Sequence, residues 1–293
     1  MRVTDSSVYD AINRQISRAR KDFTTAQEQA GTGMRVQKPS DDPVAAAAAR
    51  REISRKALAD GGLKNAEHAQ MQLDGADGAI NDIYEGLSRA RELAVGAASS
   101  TLGDENRRAA AMEVRKIREQ MVALGNTNVA GRYIFGGFRD QAAPFAEDGA
   151  FSGDDSVKEV QTMPGLKVPA SISGSTIFGL GGEDDAFSTL DALATALEAN
   201  DPEAVRGTLT GLNVTAERVL SARSQVGGLL NGVEMARSVA DRHSYRAELE
   251  IGRLVEVDEI SAATDLIRAK SALEAALTVA QQIPVGSLAG GGR

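Results

Sequence analysis

The residue types that could do chemistry are few and scattered. His68 and His243 are the only histidines in 293 residues, and neither sits in an H-E-x-x-H pattern that would pair ligands on one helix face for zinc. Surface histidines are the expectation. Cysteine is absent, which removes a thiol nucleophile, Cys-ligated zinc and a disulfide framework. No G-x-S-x-G elbow, P-loop or dinucleotide glycine fingerprint occurs. Phe135-Gly136-Gly137-Phe138 and Gly179-Leu180-Gly181-Gly182 lack the strand-to-helix context of a phosphate cradle and are expected to be turns. Asp154-Asp155 and Glu183-Asp184-Asp185 have the carboxylates to hold a weak cation, but solvated loops are the expected reading. Asn213-Val214-Thr215 matches a glycosylation triplet inside a predicted helix, where it is discounted. No catalytic, cofactor or metal site is expected, and the chain reads as a structural subunit rather than an enzyme.

The spacing that carries information is that of apolar side chains. Tyr9, Ile12, Ile16, Ala19, Phe23, Ala26 and Ala30 step by alternating threes and fours, as do Ala262, Leu266, Ala269, Leu273, Ala276, Ala280 and Ile283. Each set is a narrow heptad seam, the stripe of a coiled coil rather than the wider face of a globular helix. The seams are equally long, about 33 Å at 1.5 Å per residue, and lie at the two ends of the chain. Ala-rich helices of this kind bury little area in isolation, so they are expected to be self-assembly elements that gain further partners from identical neighbours. Until then the two ends are expected to be disordered or loosely helical in the monomer.

Longer helices lie between them. Pro39-Ser40-Asp41-Asp42-Pro43 offers a carboxylate cap and then proline at the first helical position. The stripe from Ala66 through Leu73, Ile80 and Leu87 to Ala97 follows without interruption. Gly61-Gly62 upstream predicts either a bend or a close helix contact. A second helix is predicted from Asp104, with Ala110, Val114, Ile117, Met121 and Leu124 on one face. A third starts at Asp201-Pro202, and its seam slips phase after Val219, which changes supercoiling locally without ending the helix. Residues 133–185 hold five of the seven Phe, with turn residues between short alternating runs, and predict a small β-rich insert. The expected fold is mainly α: a long antiparallel coiled-coil-like hairpin formed by the N- and C-terminal halves, with the β-rich insert at its far end. The expected divisions are 1–40 with 251–293 as terminal assembly helices, 41–132 with 186–250 as a helical bundle, and 133–185 as the insert.

Charge narrows the partners. The formal net charge is −8, and residues 140–203 alone carry thirteen Asp or Glu against Lys158 and Lys167, a net of −11. Such a chain is a poor nucleic-acid binder. No stretch approaches the roughly 18 apolar residues of a membrane span, so no membrane insertion is expected. The residues from Met1 to Ser7 contain no apolar core of a signal peptide.

Several motifs, taken together, resemble a known family. Pro39-Ser40-Asp41-Asp42-Pro43-Val44-Ala45 resembles the segment linking the terminal helix to the first long helix in bacterial flagellins and their hook-associated relatives. Arg91-Glu92-Leu93-Ala94, Asn126-Thr127, Arg223-Ser224-Gln225-Val226-Gly227 with Asn231, and Glu256-Val257-Asp258 fit the same superfamily. Gly131-Arg132-Tyr133-Ile134-Phe135-Gly136-Gly137, followed by Pro144-Phe145, is similar to the hook–filament junction members rather than to flagellin. The resemblance covers nearly the whole chain outside roughly 140–185. It implies a secreted structural protein, exported unfolded through the flagellar type III apparatus, with paired terminal helices lining a tube. Its implied partners are other copies in a ring layer, the hook-side junction protein (hook-associated protein 1), flagellin, and the export apparatus with an export chaperone. The alternatives are a short flagellin that forms the filament itself and, from another class, an intracellular coiled-coil scaffold or chaperone.

Overall fold

The computed structural model of the protein describes residues 5–99, 103–182 and 184–282, with side chains from residue 9 onward. In chain order the elements are α1 (Asp5–Thr32), α2 (Pro43–Ala97), α3 (Asp104–Gly125), β1 (Asn128–Val129), β2 (Arg132–Tyr133), β3 (Glu159–Met163), β4 (Leu166–Pro169), α4 (Gly174–Phe178), α5 (Ala186–Glu198), α6 (Pro202–Val255) and α7 (Glu259–Gln281). Two compact units result. One joins residues 1–56 with 245–293; the other comprises 57–244.

Carboxylates start the helices. Asp42 accepts from the Ala45 N–H just ahead of α2, Asp185 from those of Phe187 and Ser188, and Asp201 from those of Glu203 and Ala204. Each satisfies amides that the first helical turn leaves free. Pro43 and Pro202 occupy the first position of α2 and α6, where proline lacks only an N–H that would have no intrahelical partner.

In unit 57–244, α6 retraces α2 in the opposite direction. Ser244 donates to Asp60, Arg237 faces Glu67 at 3.8 Å, and Arg223 forks onto Asp77 at 3.0 and 3.2 Å. The stripe from Ala66 to Ala97 is buried along this line. On α6 the helix is continuous and the expected slip after Val219 is not seen. Thr215 rather than Ala216 lies on the buried line, so Leu212, Thr215, Val219, Ala222 and Val226 step by threes and fours without interruption, and the Thr215 hydroxyl donates to the Gly211 carbonyl. Asn213 is exposed on the same helix, so the Asn213-Val214-Thr215 triplet is helical and its threonine inaccessible. Helix α5 lies where the sequence reading had placed no separate helix. It packs on α3 through Arg115–Glu198 and Arg118–Asp191 pairs at 2.8 Å.

The insert is less regular than expected. β1–β2 and β3–β4 are separate antiparallel two-stranded sheets, and turns with the short α4 make up most of the rest. Its cohesion is aromatic: Phe145 sits 5.1 Å from Phe151, 5.0 Å from Phe178 and 5.8 Å from Phe187, and the last two stack at 4.8 Å. This cluster is continuous with the core of the long helices. Gly61-Gly62 produces no bend. At Gly62 the partner is a strand rather than a helix: an added Cβ would lie 1.7 Å from the Thr162 carbonyl oxygen. Beside it, Asn65 donates to the Gln161 carbonyl.

Asp140 is the insert's buried charge, 3% exposed. Arg132 donates to both its oxygens at 2.9 Å, and Lys158 at 2.5 Å. Burial pushes the carboxyl up, but hydrogen bonds from Lys158, Arg132 and Gln141 outweigh it and hold the group at about 2. A carboxyl depressed on folding stabilises fully above its ordinary 3.8, and that contribution is lost as pH falls towards about 2. Denaturation across this window should therefore show an acid-labile increment in the wild type that Asp140→Asn lacks. The variant should also be less stable at neutral pH, because Arg132 and Lys158 lose their common counter-charge. Equal acid slopes in both proteins would refute the assignment.

Candidate assembly surface

The other unit contains both terminal helices. The end of α1 lies beside the start of α7: Met34 and Glu256 form an antiparallel bridge, and the Val257 N–H donates to the Gly33 carbonyl. From there α1 and α7 pack on each other, so they run antiparallel. A groove of about 550 Å³ follows their seam, from Gln15 to Gln29 on one wall and from Ala276 back to Asp265 on the other.

The seam residues mostly face this pair without being fully enclosed. Tyr9, Ile12, Ile16, Ala19 and Phe23 are half-buried, and Ala26 is buried. On α7, Ala262 and Ala276 are buried, and Leu266, Ala269, Leu273 and Ala280 are half-buried. Ile283 lies outside the described residues. Ala30 departs from the expectation: it is exposed, and Gln29 is half-buried in its place. The Gln29 side-chain amide turns towards the connector and donates to the Arg35 carbonyl at 3.4 Å. Away from the seam, Ile260 is 78% and Ile267 66% exposed. These two residues lie seven apart on one face of α7, and no described residue of this unit covers them.

The connectors at the base of the pair form a clasp. The Arg35 and Val36 amides both donate to the Val255 carbonyl at 2.7 and 3.2 Å. The Arg35 guanidinium donates to the Leu254 carbonyl at 2.9 Å and to Asp42 at 3.1 Å. Arg35 thus serves the last carbonyls of α6 while holding the carboxylate that caps α2. Asp41 accepts from the Gln37 and Lys38 amides at 3.1 and 2.8 Å. The Asp41 carboxyl is lowered by its hydrogen bonds from Lys38 and Gln37, the Asp42 carboxyl by those from Ala45 and Arg35, and the Asp258 carboxyl by that from Ser261. Pro39 and Ser40 are exposed on the bend. Of this arrangement the sequence indicated the Asp42-Pro43 start. Arg35 carried no local signal, since its carbonyl partner is 219 residues away.

The groups considered for chemistry are occupied structurally or lie apart. His68 and His243 are exposed. Asp154 accepts from the Phe138 and Ser156 amides and Asp155 from the Ser173 hydroxyl, while Asp185 caps α5. Gly137, at φ +61°, turns the chain directly against Asp154. Among the described residues no cluster of three metal-ligating side chains occurs, and no helix is long and apolar enough to cross a membrane.

Known proteins resemble this chain in sequence and fold. Residues 4–140 match the bacterial flagellin N-terminal helical region. Flagellar hook-associated protein 3 of Salmonella typhimurium is 28% identical over 305 aligned residues, covering 94% of each chain, and that of Escherichia coli matches to the same extent. Among solved structures, a putative flagellar hook-associated protein from Vibrio parahaemolyticus has a TM-score of 0.68 at 19% identity, over 74% of this chain and 100% of that one. The flagellar junction protein FlgL from Legionella pneumophila has a TM-score of 0.58 at 16% identity, over 71% of this chain and 100% of its own. The fold is thus shared with solved hook-associated structures, and the N-terminal part of the chain is similar to the helical region of bacterial flagellins. Along nearly its whole length the chain is similar to hook-associated protein 3.

Proposed function

We propose that this chain is the adapter subunit at the junction between flagellar hook and filament, acting through shape and association rather than catalysis. The observation that carries this reading is the match to hook-associated protein 3 along 94% of both chains, a span too wide to leave out the insert at 133–185. The exposed Ile260 and Ile267 of α7 support it, because an apolar helix face left open in the single chain is suited to a neighbouring copy.

In this reading 1–40 with 251–293 form the assembly helices, 41–132 with 186–250 the surrounding wall, and 133–185 a module carried on that wall. Copies associate sideways in a ring layer, with the hook-side junction protein (hook-associated protein 1) on one side and flagellin on the other. An adapter of this kind does not stack on itself indefinitely, whereas a filament subunit must. The chain reaches the extracellular flagellum through the flagellar export apparatus, held by an export chaperone until then.

Deleting the gene should leave hooks intact, filaments missing and flagellin unpolymerised in the medium, as read by electron microscopy and a blot of the supernatant. Full-length filaments on the deletion strain would end the adapter reading. Bare hooks without released flagellin would identify the chain as filament protein, and retention of the protein inside wild-type cells would identify an intracellular scaffold.

A further inference from the structure

We infer that neighbouring copies of the chain interlock through Phe138. The phenyl ring of one copy enters a groove between the insert and α6 of the next, and Arg139 meets the Asp155 carboxylate at its rim. The inference rests on the ring-layer reading proposed above and names the surfaces through which two copies meet.

Phe138 is the exception among the phenylalanines. The other six are buried or half-buried, whereas Phe138 is 65% exposed. It is also held rigidly. Gly137 turns the chain at φ +61°, where a Cβ would lie 2.3 Å from the Asp154 carbonyl oxygen. The Phe138 amide donates to the Asp154 carboxylate at 3.0 Å, and the Arg139 and Asp154 amides both donate to the Gly136 carbonyl. Little main-chain freedom is therefore left to lose on binding, and aromatic and Arg side chains are the types enriched where proteins touch. The exposed Arg139 donates to the Ser152 carbonyl at 3.3 Å, and among the described residues no carboxylate pairs with it.

The groove has the complementary character. It encloses about 470 Å³, with Val157, Pro169 and Ile172 on the insert wall and Gly228 and Leu229 on the α6 wall. Val157 is 48% exposed, so this apolar lining is open to solvent. Gly228 gives the groove its depth, since a Cβ there would meet no atom within 4 Å. Asp155 lines the same groove. Its carboxylate accepts from the Ser173 and Ser175 hydroxyls, and among the described residues no cation neutralises it.

Shape and charge select a second copy as the occupant. Phe138 points to solvent, so it does not fill the groove of its own chain. An apolar ring beside an unpaired cation matches an apolar groove beside an unpaired anion, and such complementarity fixes which surfaces meet. The two patches differ, as a head-to-tail contact requires, so each copy can offer its ring to one neighbour and its groove to the other. One aromatic side chain buries about 150–250 Å², well short of the roughly 1,200 Å² of a stable interface. The contact therefore adds to others within an assembly and does not hold two chains together in dilute solution.

The test is made on flagella. A photoreactive benzoylphenylalanine is placed at position 138 by codon suppression, detached flagella are irradiated, and the products are resolved by gel and peptide mass spectrometry. A band of twice the chain's mass is expected, with position 138 of one copy joined to the groove of another, at Pro169 or within residues 225–229. Gly228→Leu should abolish that band, because the leucine fills the groove from within. Its residues 57–244 should melt no lower than in the wild type, since leucine is the better helix former and meets open space. Phe138→Ala should lower incorporation into flagella several-fold. Arg139→Glu should lower it as well, and Gln225→Arg, in the same groove, should restore it by reversing the charge pair. A cross-link to another protein or to another segment of a second copy would overturn the inference, as would no cross-link in flagella that contain the chain. A chain absent from flagella altogether would overturn the adapter reading, and this inference with it.

Discussion

Replacing Arg107 with Met should lower the stability of residues 57–244 by about 3 kcal/mol, the scale expected when charge-assisted hydrogen bonds are lost and their acceptors stay buried. Arg107 is 3% exposed, and its guanidinium is spent on the end of another helix. It donates to the Ala97 carbonyl at 3.0 Å, to the Ser99 carbonyl at 2.6 Å and to the Asn200 side chain. Ala97 is the last residue of α2, where carbonyls lack helical partners and the helix dipole favours a cation. Asn200, at φ +54°, is the turn between α5 and α6. One side chain therefore joins the end of α2, the start of α3 and the α5–α6 turn. Methionine roughly fills the volume but donates nothing. Lysine keeps the charge but cannot reach three acceptors as a fork, so it should fall between the two. Urea unfolding monitored by circular dichroism measures the change. A loss below about 0.5 kcal/mol, the range of an ordinary surface substitution, would show that the carbonyls are served equally well without Arg107.

The parts of this fold that were legible in the sequence are those encoded locally. The Ala66–Ala97 stripe and the Asp42-Pro43 and Asp201-Pro202 starts depend on spacings of three and four or on adjacent residues. What was not legible depends on partners far along the chain. Nothing beside Arg107 in the sequence marks it out, and only the return of Asn200 makes it a buried clamp. Gly61-Gly62 predicted a bend or a close helix contact, and the close partner at Gly62 proved instead to be the strand backbone at Thr162. Helix α5 is 13 residues long and follows a turn-rich stretch, so its stripe of Leu190, Leu193 and Leu197 was too short to stand out. The insert looked like a body apart because Phe, Gly and Pro concentrate there. Its phenylalanines nevertheless converge on Phe187 of α5 and join the core of the long helices. Removing residues 146–176 would therefore take away Phe151 and Ile172 from that core and is no neutral excision.

Leu273→Asp should abolish incorporation into flagella while leaving residues 57–244 as stable as in the wild type. Leu273 is half-buried on the α7 seam in the single chain. Exchanging it for aspartate forfeits about 2 kcal/mol of apolar burial and leaves a carboxylate in a seam of apolar and small side chains. In the single chain that carboxylate can still turn towards water, so the cost there is modest. Once neighbouring copies close over α7, as the assembly reading requires, it becomes an unpaired buried charge costing several kcal/mol more. That penalty is repeated in every subunit of a ring, so assembly fails well before folding does. Thr278→Asp is the control, because it places the same charge on an exposed position of the same helix and should be tolerated unless that face is also covered. Immunogold labelling of flagella, with thermal melting of the purified variants, provides both readouts. A Leu273→Asp protein that labels the junction as densely as wild type would show that the α1–α7 seam remains open to solvent in the assembled state. The assembly surface would then have to be sought elsewhere on the chain.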